Sequence, residues 1–251
     1  MTTSDPSTVL TSLAPLLTGA PGDWAATAGR VAYLSRAQVL AFAVAVSRPI
    51  PGHVIEFGTW KGGSTRIIRD ELGQGRSGDH GPRGKRIYTC DSFQGLAEDY
   101  ESLKKGTFAT KIPKLPGVRI VDGFFEDSLT DELATEIGRI SLAHLDADLY
   151  GSTLTALNWL TPLLHSGSVL VFDELIGNEP AEARALLEWQ RETGVQLALL
   201  ALFGREPSGS GEQTDRRALF QVVGSEKATE AAPLFRVKMR RRLTTWYQSR
   251  M

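Results

Sequence analysis

The run Val54-Ile55-Glu56-Phe57 and the segment Gly58-Thr59-Trp60-Lys61-Gly62-Gly63-Ser64 behind it constrain this chain more than any other stretch. An apolar run, then clustered glycines, then Ile67 and Ile68 predict a buried strand, a tight turn and a helix that starts at Ser64. Glycine has no Cβ, so the backbone at Gly58 and Gly62 can pass close to a ligand. The first amides of the helix beyond lack intrahelical acceptors and can donate to a polar or anionic group. Gly58, three residues, then Gly62-Gly63 is not the G-x-G-x-x-G of dinucleotide-binding turns.

Residues 8–48 read as mostly helical, chiefly Val9 to Leu17 and Ser35 to Val46. From Val54 on, strands and helices alternate. The strands are expected at Val54–Phe57, Arg86–Cys90, Arg119–Val121, Ile140–Leu145, Ser168–Phe172, Gln196–Phe203 and Arg217–Val223. Helices are expected over 64–72, 129–137, 152–165 and 180–193. Such alternation gives an α/β fold with a doubly wound, mostly parallel sheet. The last two strands, joined by the Gly/Ser-rich loop Glu206 to Thr214, are expected as an antiparallel edge. Gly73 to Gly84 reads as a surface loop. Tyr100 to Pro116 is too long for a simple connection, and such insertions are often functional lids. One large domain is expected, with a helical cap (1–48), a core (50–224) and a basic tail (225–251) carrying Arg236, Lys238, Arg240, Arg241 and Arg242.

Ligands in such a sheet lie beyond the carboxyl ends of the strands. Asp91 closes the second strand, roughly 20 or more residues after the glycine turn, and is placed to accept from both hydroxyls of a ribose. The alternative is an N-cap. Asp122-Gly123-Phe124-Phe125 suits an adenine slot, although both rings are equally readable as core. Asp127-Ser128 reads either as a helix cap or as a pair contacting the base.

A second constellation joins Asp146 and Asp148 to Asp173 and Glu174, all at expected strand ends. Carboxylates held that close repel one another, and a divalent cation relieves the repulsion. Hard oxygen donors, without cysteine or clustered histidine, suit Mg²⁺. His144, inside a strand, reads as a hydrogen-bonded structural residue; His53 and His80 fall in expected loops and His165 near a helix end, where a positive charge is favourable. No G-x-S-x-G element or Cys/His nucleophile pair is present, which disfavours covalent hydrolase chemistry.

A net charge of −1 argues against a nucleic-acid-coating protein. The single cysteine, Cys90, rules out an internal disulfide framework and fits a reducing cytoplasm. Neither a secretory leader nor an apolar run near the roughly 20 residues of a membrane helix is visible.

A hydrophobic strand with a terminal glutamate, Glu56, followed by G-x-x-x-G-G, is similar to the cofactor loop of class I S-adenosylmethionine methyltransferases; Glu56 reads either as meeting the amino-acid end of the cofactor or as capping the neighbouring helix. With the other motifs, the chain resembles the macrocin O-methyltransferase (TylF-like) family from about Ile50 to Glu192. The residues that carry the resemblance are Glu56 to Ser64, Asp91-Ser92-Phe93-Gln94-Gly95-Leu96, Gly123-Phe124-Phe125-Glu126-Asp127-Ser128-Leu129, and Asp146-Ala147-Asp148-Leu149-Tyr150-Gly151-Ser152-Thr153 with the later Asp173-Glu174. The family's usual Asp-Asp-Tyr is here Asp173-Glu174-Leu175.

The resemblance implies a class I methyltransferase fold with an antiparallel last strand, N-terminal helices and homo-oligomeric assembly. It implies S-adenosylmethionine against Glu56, Gly58, Gly62, Ser64, Asp91, Ser92, Gly123, Phe124 and Ser128. Tyr33 and Ser35 are candidate lid contacts. It implies Mg²⁺ on Asp146, Asp173 and Glu174, and Asp146 as the base that deprotonates a sugar hydroxyl of a glycosylated natural product. A catechol or phenol methyltransferase remains an alternative, differing in its acceptor pocket. A nucleotide-sugar oxidoreductase is a further one, disfavoured by the missing fingerprint.

Overall fold

Residues 32–73, 84–176, 181–204 and 216–224 are described in the computed structural model of the protein. Among these residues, eight strands form one sheet: β1 (Ala32–Tyr33), β2 (His53–Phe57), β3 (Ile87–Asp91), β4 (Val118–Asp122), β5 (Ile140–Leu145), β6 (Val169–Ile176), β7 (Gln196–Gly204) and β8 (Arg216–Gly224). The helices are α1 (Arg36–Ser47), α2 (Gly63–Glu71), α3 (Phe125–Ser128), α4 (Asp131–Ile137), α5 (Tyr150–Leu160) and α6 (Ala181–Thr193). Strand order is β1-β7-β8-β6-β5-β2-β3-β4. All pairings are parallel except those of β8, which runs antiparallel to both β6 and β7.

Side-chain alternation along the strands builds two apolar layers. Ile55, Phe57, Ala143, Leu145, Leu170 and Phe172 pack with residues of α4, α5 and α6. Val54, Leu142, Val169 and Val171 face the other way, against α1 and α2. These central strands are buried on both faces, which is why they read as nearly continuous apolar runs.

Register aligns the functional edge. Cys90 pairs with Phe57, Phe57 with Leu145, and Leu145 with Phe172. The next residue on each strand is therefore Asp91, Gly58, Asp146 and Asp173, brought together along one edge of the sheet. Beyond Phe172 the β6–β8 register slips: Asp173, Glu174 and Leu175 stand opposite the single residue Arg217. Such bulges re-aim side chains beside active sites.

Several expectations need correction. The antiparallel strand β8 lies inside the sheet, and the edge beyond β7 is the short β1, which the helical reading of 8–48 did not anticipate. The helix expected over 129–137 begins at Asp131, because Thr130 caps it by accepting from Leu133 N. The helix expected to reach 165 stops at Leu160 and continues as a 3₁₀ turn over Thr161–Leu163, where Pro162 supplies no amide. The helix expected at Val9 to Leu17, the loop 206–214, His80 and the basic tail lie outside the described residues.

Candidate active site

A cavity of about 600 Å³ opens at the aligned edge, within the ordinary size range of small-molecule sites. Its walls come from the glycine turn (Gly58 to Lys61, Gly63, Ser64), the end of β3 (Asp91, Ser92), Phe124, the loop after β5 (Asp146 to Leu149) and Glu174. Arg36, Phe108, Phe125 and Ser152 also border it. The glycine turn, Asp91 and the carboxylates Asp146, Asp148 and Glu174 thus share one space, whereas the buried Asp173 does not line it.

On the glycine-turn side, Asp91 fixes the loop. Its Oδ2 accepts from Thr59 N at 2.8 Å and Trp60 N at 2.7 Å, and Oδ1 accepts from Phe93 N at 2.7 Å. No helix follows Asp91, so it is a turn anchor rather than an N-cap; Oδ2 already accepts two bonds, and Oδ1 keeps acceptor capacity for a further donor. Gly58 has φ +93 and Gly62 φ +75, both in the left-handed region that glycine tolerates. Gly58 lines the cavity, but Gly62 does not. A Cβ on Gly62 would meet Leu115 Cδ2 at 2.9 Å, so Gly62 packs under the 100–116 insertion, while Gly63 has nothing within 4 Å and lines the cavity. The open approach belongs to Gly63. Ser64, buried in the first turn of α2, lines the cavity as expected.

Glu56 does not line the cavity. It is fully buried, with Oε2 accepting from Thr65 and Thr89 and Oε1 lying 3.0 Å from His144 Nδ1. Its position inside β2 turns it toward α2 and β5. Gly123 and Ser128 are likewise absent from the wall: Ser128 Oγ donates to Gly123 O at 3.3 Å, and a Cβ on Gly123 would lie 3.1 Å from Ser128 Cβ. Phe124 lines the cavity, whereas Phe125 is mostly core, its ring 5.5 Å from that of Phe57. Ser92 lines it, its Oγ accepting from Gln94 N.

Ser35 is spent as the N-cap of α1 in a capping box with Gln38. Tyr33 lies in β1, opposite Gly204; its side chain is outside the described set. The residue from this segment that enters the site is Arg36, which sequence reasoning missed. One signal for it exists: a cation in the first turn of a helix with no acid in that turn, against the helix dipole.

The carboxylate side is dense in charge. Arg36 Nη2 donates to Asp173 Oδ2 at 2.5 Å, and Nη1 lies 3.3 Å from Asp146 Oδ2. Arg217, opposite the bulge, donates from Nε to Asp173 Oδ1 at 2.6 Å. Burial alone would raise the pKa of Asp173, but His144 and the two arginines hold it well below the usual carboxylate range. Asp146 goes the other way: burial, then the charge of Asp173, push it up against the opposing pull of Arg36 and His144. Asp148, at φ +58, is pushed up to about 6 by burial and by Asp173. Burial works against a charged His144, but Asp173 and Glu56 lift its pKa to about 10. Its Nε2 lies 3.9 Å from Asp173 Oδ1, beyond hydrogen-bond distance, so that influence is electrostatic. Glu182, on α6, accepts from Glu174 N at 3.1 Å and is raised well above normal by burial and by Asp146 and Asp173.

Among the described residues, the group able to converge on one ion is His144, Asp146 and Asp173, with donor atoms within 4.8 Å of one another. Glu174 borders the same cavity without joining that group. The donor chemistry fits a hard cation on one observation: a positive group, the Arg36 guanidinium, already sits against both Asp146 and Asp173.

Residues 55–175 match the methyltransferase domain family. The chain is 28% identical over 176 residues, 61% of its length, to the 8-demethyl-8-(2,3-dimethoxy-alpha-L-rhamnosyl)-tetracenomycin-C 4'-O-methyltransferase of Streptomyces olivaceus. The match spans 64% of that relative. It is 25% identical over 170 residues to the mycinamicin III 3''-O-methyltransferase of Micromonospora griseorubida, covering 58% of this chain and 63% of the relative. Among solved structures, the O-methyltransferase NovP superposes with a TM-score of 0.53 at 20% identity, over 75% of this chain and 80% of its own. The calicheamicin methyltransferase CalS11 also gives 0.53 at 20%, over 87% and 93%. The fold is that of class I methyltransferases. No helix among the described residues is long and apolar enough to cross a membrane.

Proposed function

We propose that this protein is an S-adenosylmethionine-dependent O-methyltransferase that methylates a sugar hydroxyl of a glycosylated natural product. One observation carries the reading: the glycine turn with Asp91 and the carboxylates Asp146 and Asp148 open into one cavity, so that a bound cofactor and a hydroxyl held by the carboxylates meet there. The relatives' names, tetracenomycin rhamnoside and mycinamicin methyltransferases, favour a sugar acceptor over a catechol. The likeness to the macrocin O-methyltransferase family belongs to this proposal, as do assembly with further copies of the chain and a cytoplasmic setting.

The reaction is an in-line displacement. The acceptor oxygen attacks the sulfonium methyl, the carbon–sulfur bond breaks, and S-adenosylhomocysteine leaves. Asp91 holds the ribose end, while the amides around Gly63 and Ser64 face the amino-acid end. Catalysis rests largely on holding oxygen and methyl in line. Asp146 takes the hydroxyl proton, and Asp148, one residue away from it and less buried, is the second candidate. Asp146, Asp173 and Glu174 would hold Mg²⁺, which supplies acidification of a bound hydroxyl. Incubation with S-adenosylmethionine and a panel of rhamnosylated polyketides tests the reading. Gain of one methyl group on the sugar supports it; methylation confined to catechols in a parallel panel would replace it with the phenol-type alternative.

A further inference from the structure

Arg36 stands where a cation is locally disfavoured. It is the first residue of α1, at the positive end of the helix dipole, and no acid lies in that turn. Groups remote in sequence hold it, Asp146 and Asp173.

Arg36 and Arg217 differ in freedom. The Arg217 side chain is 5% exposed and sits inside the sheet on β8, where it neutralises Asp173 whatever Arg36 does. The Arg36 side chain is 37% exposed and borders the cavity. It can withdraw into solvent without leaving Asp173 an unpaired buried charge. Asp146 would then lose the cation beside it while Asp148 stays near, which invites another cation.

We propose that Arg36 is an exchangeable counter-ion: its guanidinium bridges Asp146 and Asp173 while no metal is bound, and a divalent cation displaces it. This rests on the metal reading given above and adds a competition to it. A guanidinium and a dication repel each other at this range, so the two states exclude one another. Because Arg36 begins α1, directly after β1, its release ties metal binding to the segment that borders the cavity. Metal affinity is then reduced by the fraction of molecules in which Arg36 occupies the carboxylates.

The test is Mn²⁺ binding to the full chain, read from the electron paramagnetic resonance signal of the free ion, with S-adenosylmethionine binding as the check on folding. Arg36→Gln removes the charge and should bind Mn²⁺ at least about tenfold more tightly than the wild type. Arg36→Lys keeps the charge but cannot span both carboxylates, and should fall between the two. Asp146→Asn should bind Mn²⁺ far more weakly in either background. Equal or weaker Mn²⁺ binding by Arg36→Gln overturns the counter-ion assignment and leaves the metal reading standing. No Mn²⁺ binding by wild type or Arg36→Gln, with S-adenosylmethionine binding intact, overturns both.

Discussion

A Cβ placed on Gly58 would lie 1.9 Å from the main-chain oxygen of Asp146. The glycine turn and the carboxylate loop are therefore in backbone contact, tied further by Asp146 N donating to Phe57 O at 2.9 Å. Cofactor side and proton-acceptor side are fixed to each other through the sheet, which is what an in-line transfer needs.

Gly58→Ala should consequently damage both halves of the site. The left-handed backbone at this residue costs a non-glycine side chain about 1–3 kcal/mol, and the collision with Asp146 O adds to that. A lowered melting temperature together with lost S-adenosylmethionine binding is expected. Unchanged melting would remove the contact from the account.

Gly63→Val separates ligand approach from folding. Gly63 has open space around its Cβ position and lines the cavity, so the variant should melt within a few degrees of wild type while cofactor affinity collapses. Calorimetry showing undiminished affinity would move the cofactor away from the start of α2.

Much of this was legible in the chain. Periodicity located the strands because Val54–Phe57 and Ile140–Leu145 are buried on both faces, and strand-end acids named Asp91 and Asp146 before any register was known. What escaped depended on the third dimension. Glu56 sits on the right strand, yet only the pairing of Glu56 with Thr89 and His144 across β3 and β5 shows that its carboxylate is consumed inside. Gly62 and Gly63 are indistinguishable as letters; Leu115, more than fifty residues away, decides which one is open. Arg36 was invisible as a partner because Asp146 and Asp173 reach it only through tertiary packing. The two-residue β1 is too short to carry a period at all.

Glu182→Gln probes the buried charge excess. Glu182 has a folded pKa raised well above its unfolded value. Its contribution is complete below the unfolded value near 4.5 and is lost as pH rises toward the folded one. Glutamine is neutral at every pH and can still accept from Glu174 N. Thermal melts should therefore show the variant gaining stability over wild type at pH 8 and little or none at pH 4.5. A variant destabilised at pH 8 but not at pH 4.5 would mean that the carboxylate is needed in its charged form.

Asp146→Asn keeps shape and one oxygen but removes the proton acceptor. Methyl transfer to a responsive glycoside should fall by at least about 10²-fold, the lower end of general-base contributions, with S-adenosylmethionine affinity nearly unchanged. Full activity in this variant would shift the role of base to Asp148.

The most direct test of the central claim, a cofactor held on the Asp91 side of the shared cavity, is calorimetric titration of S-adenosylmethionine into wild type and Asp91→Asn. The asparagine oxygen can still accept from Thr59 and Trp60, but its NH₂ group then faces Phe93 N and can accept neither from that amide nor from a ribose hydroxyl, so a thermal melt of the variant accompanies the titration. The account predicts clear binding by wild type and a loss of about 1–3 kcal/mol in the variant. No binding by wild type, or equal affinity in Asp91→Asn, would contradict it.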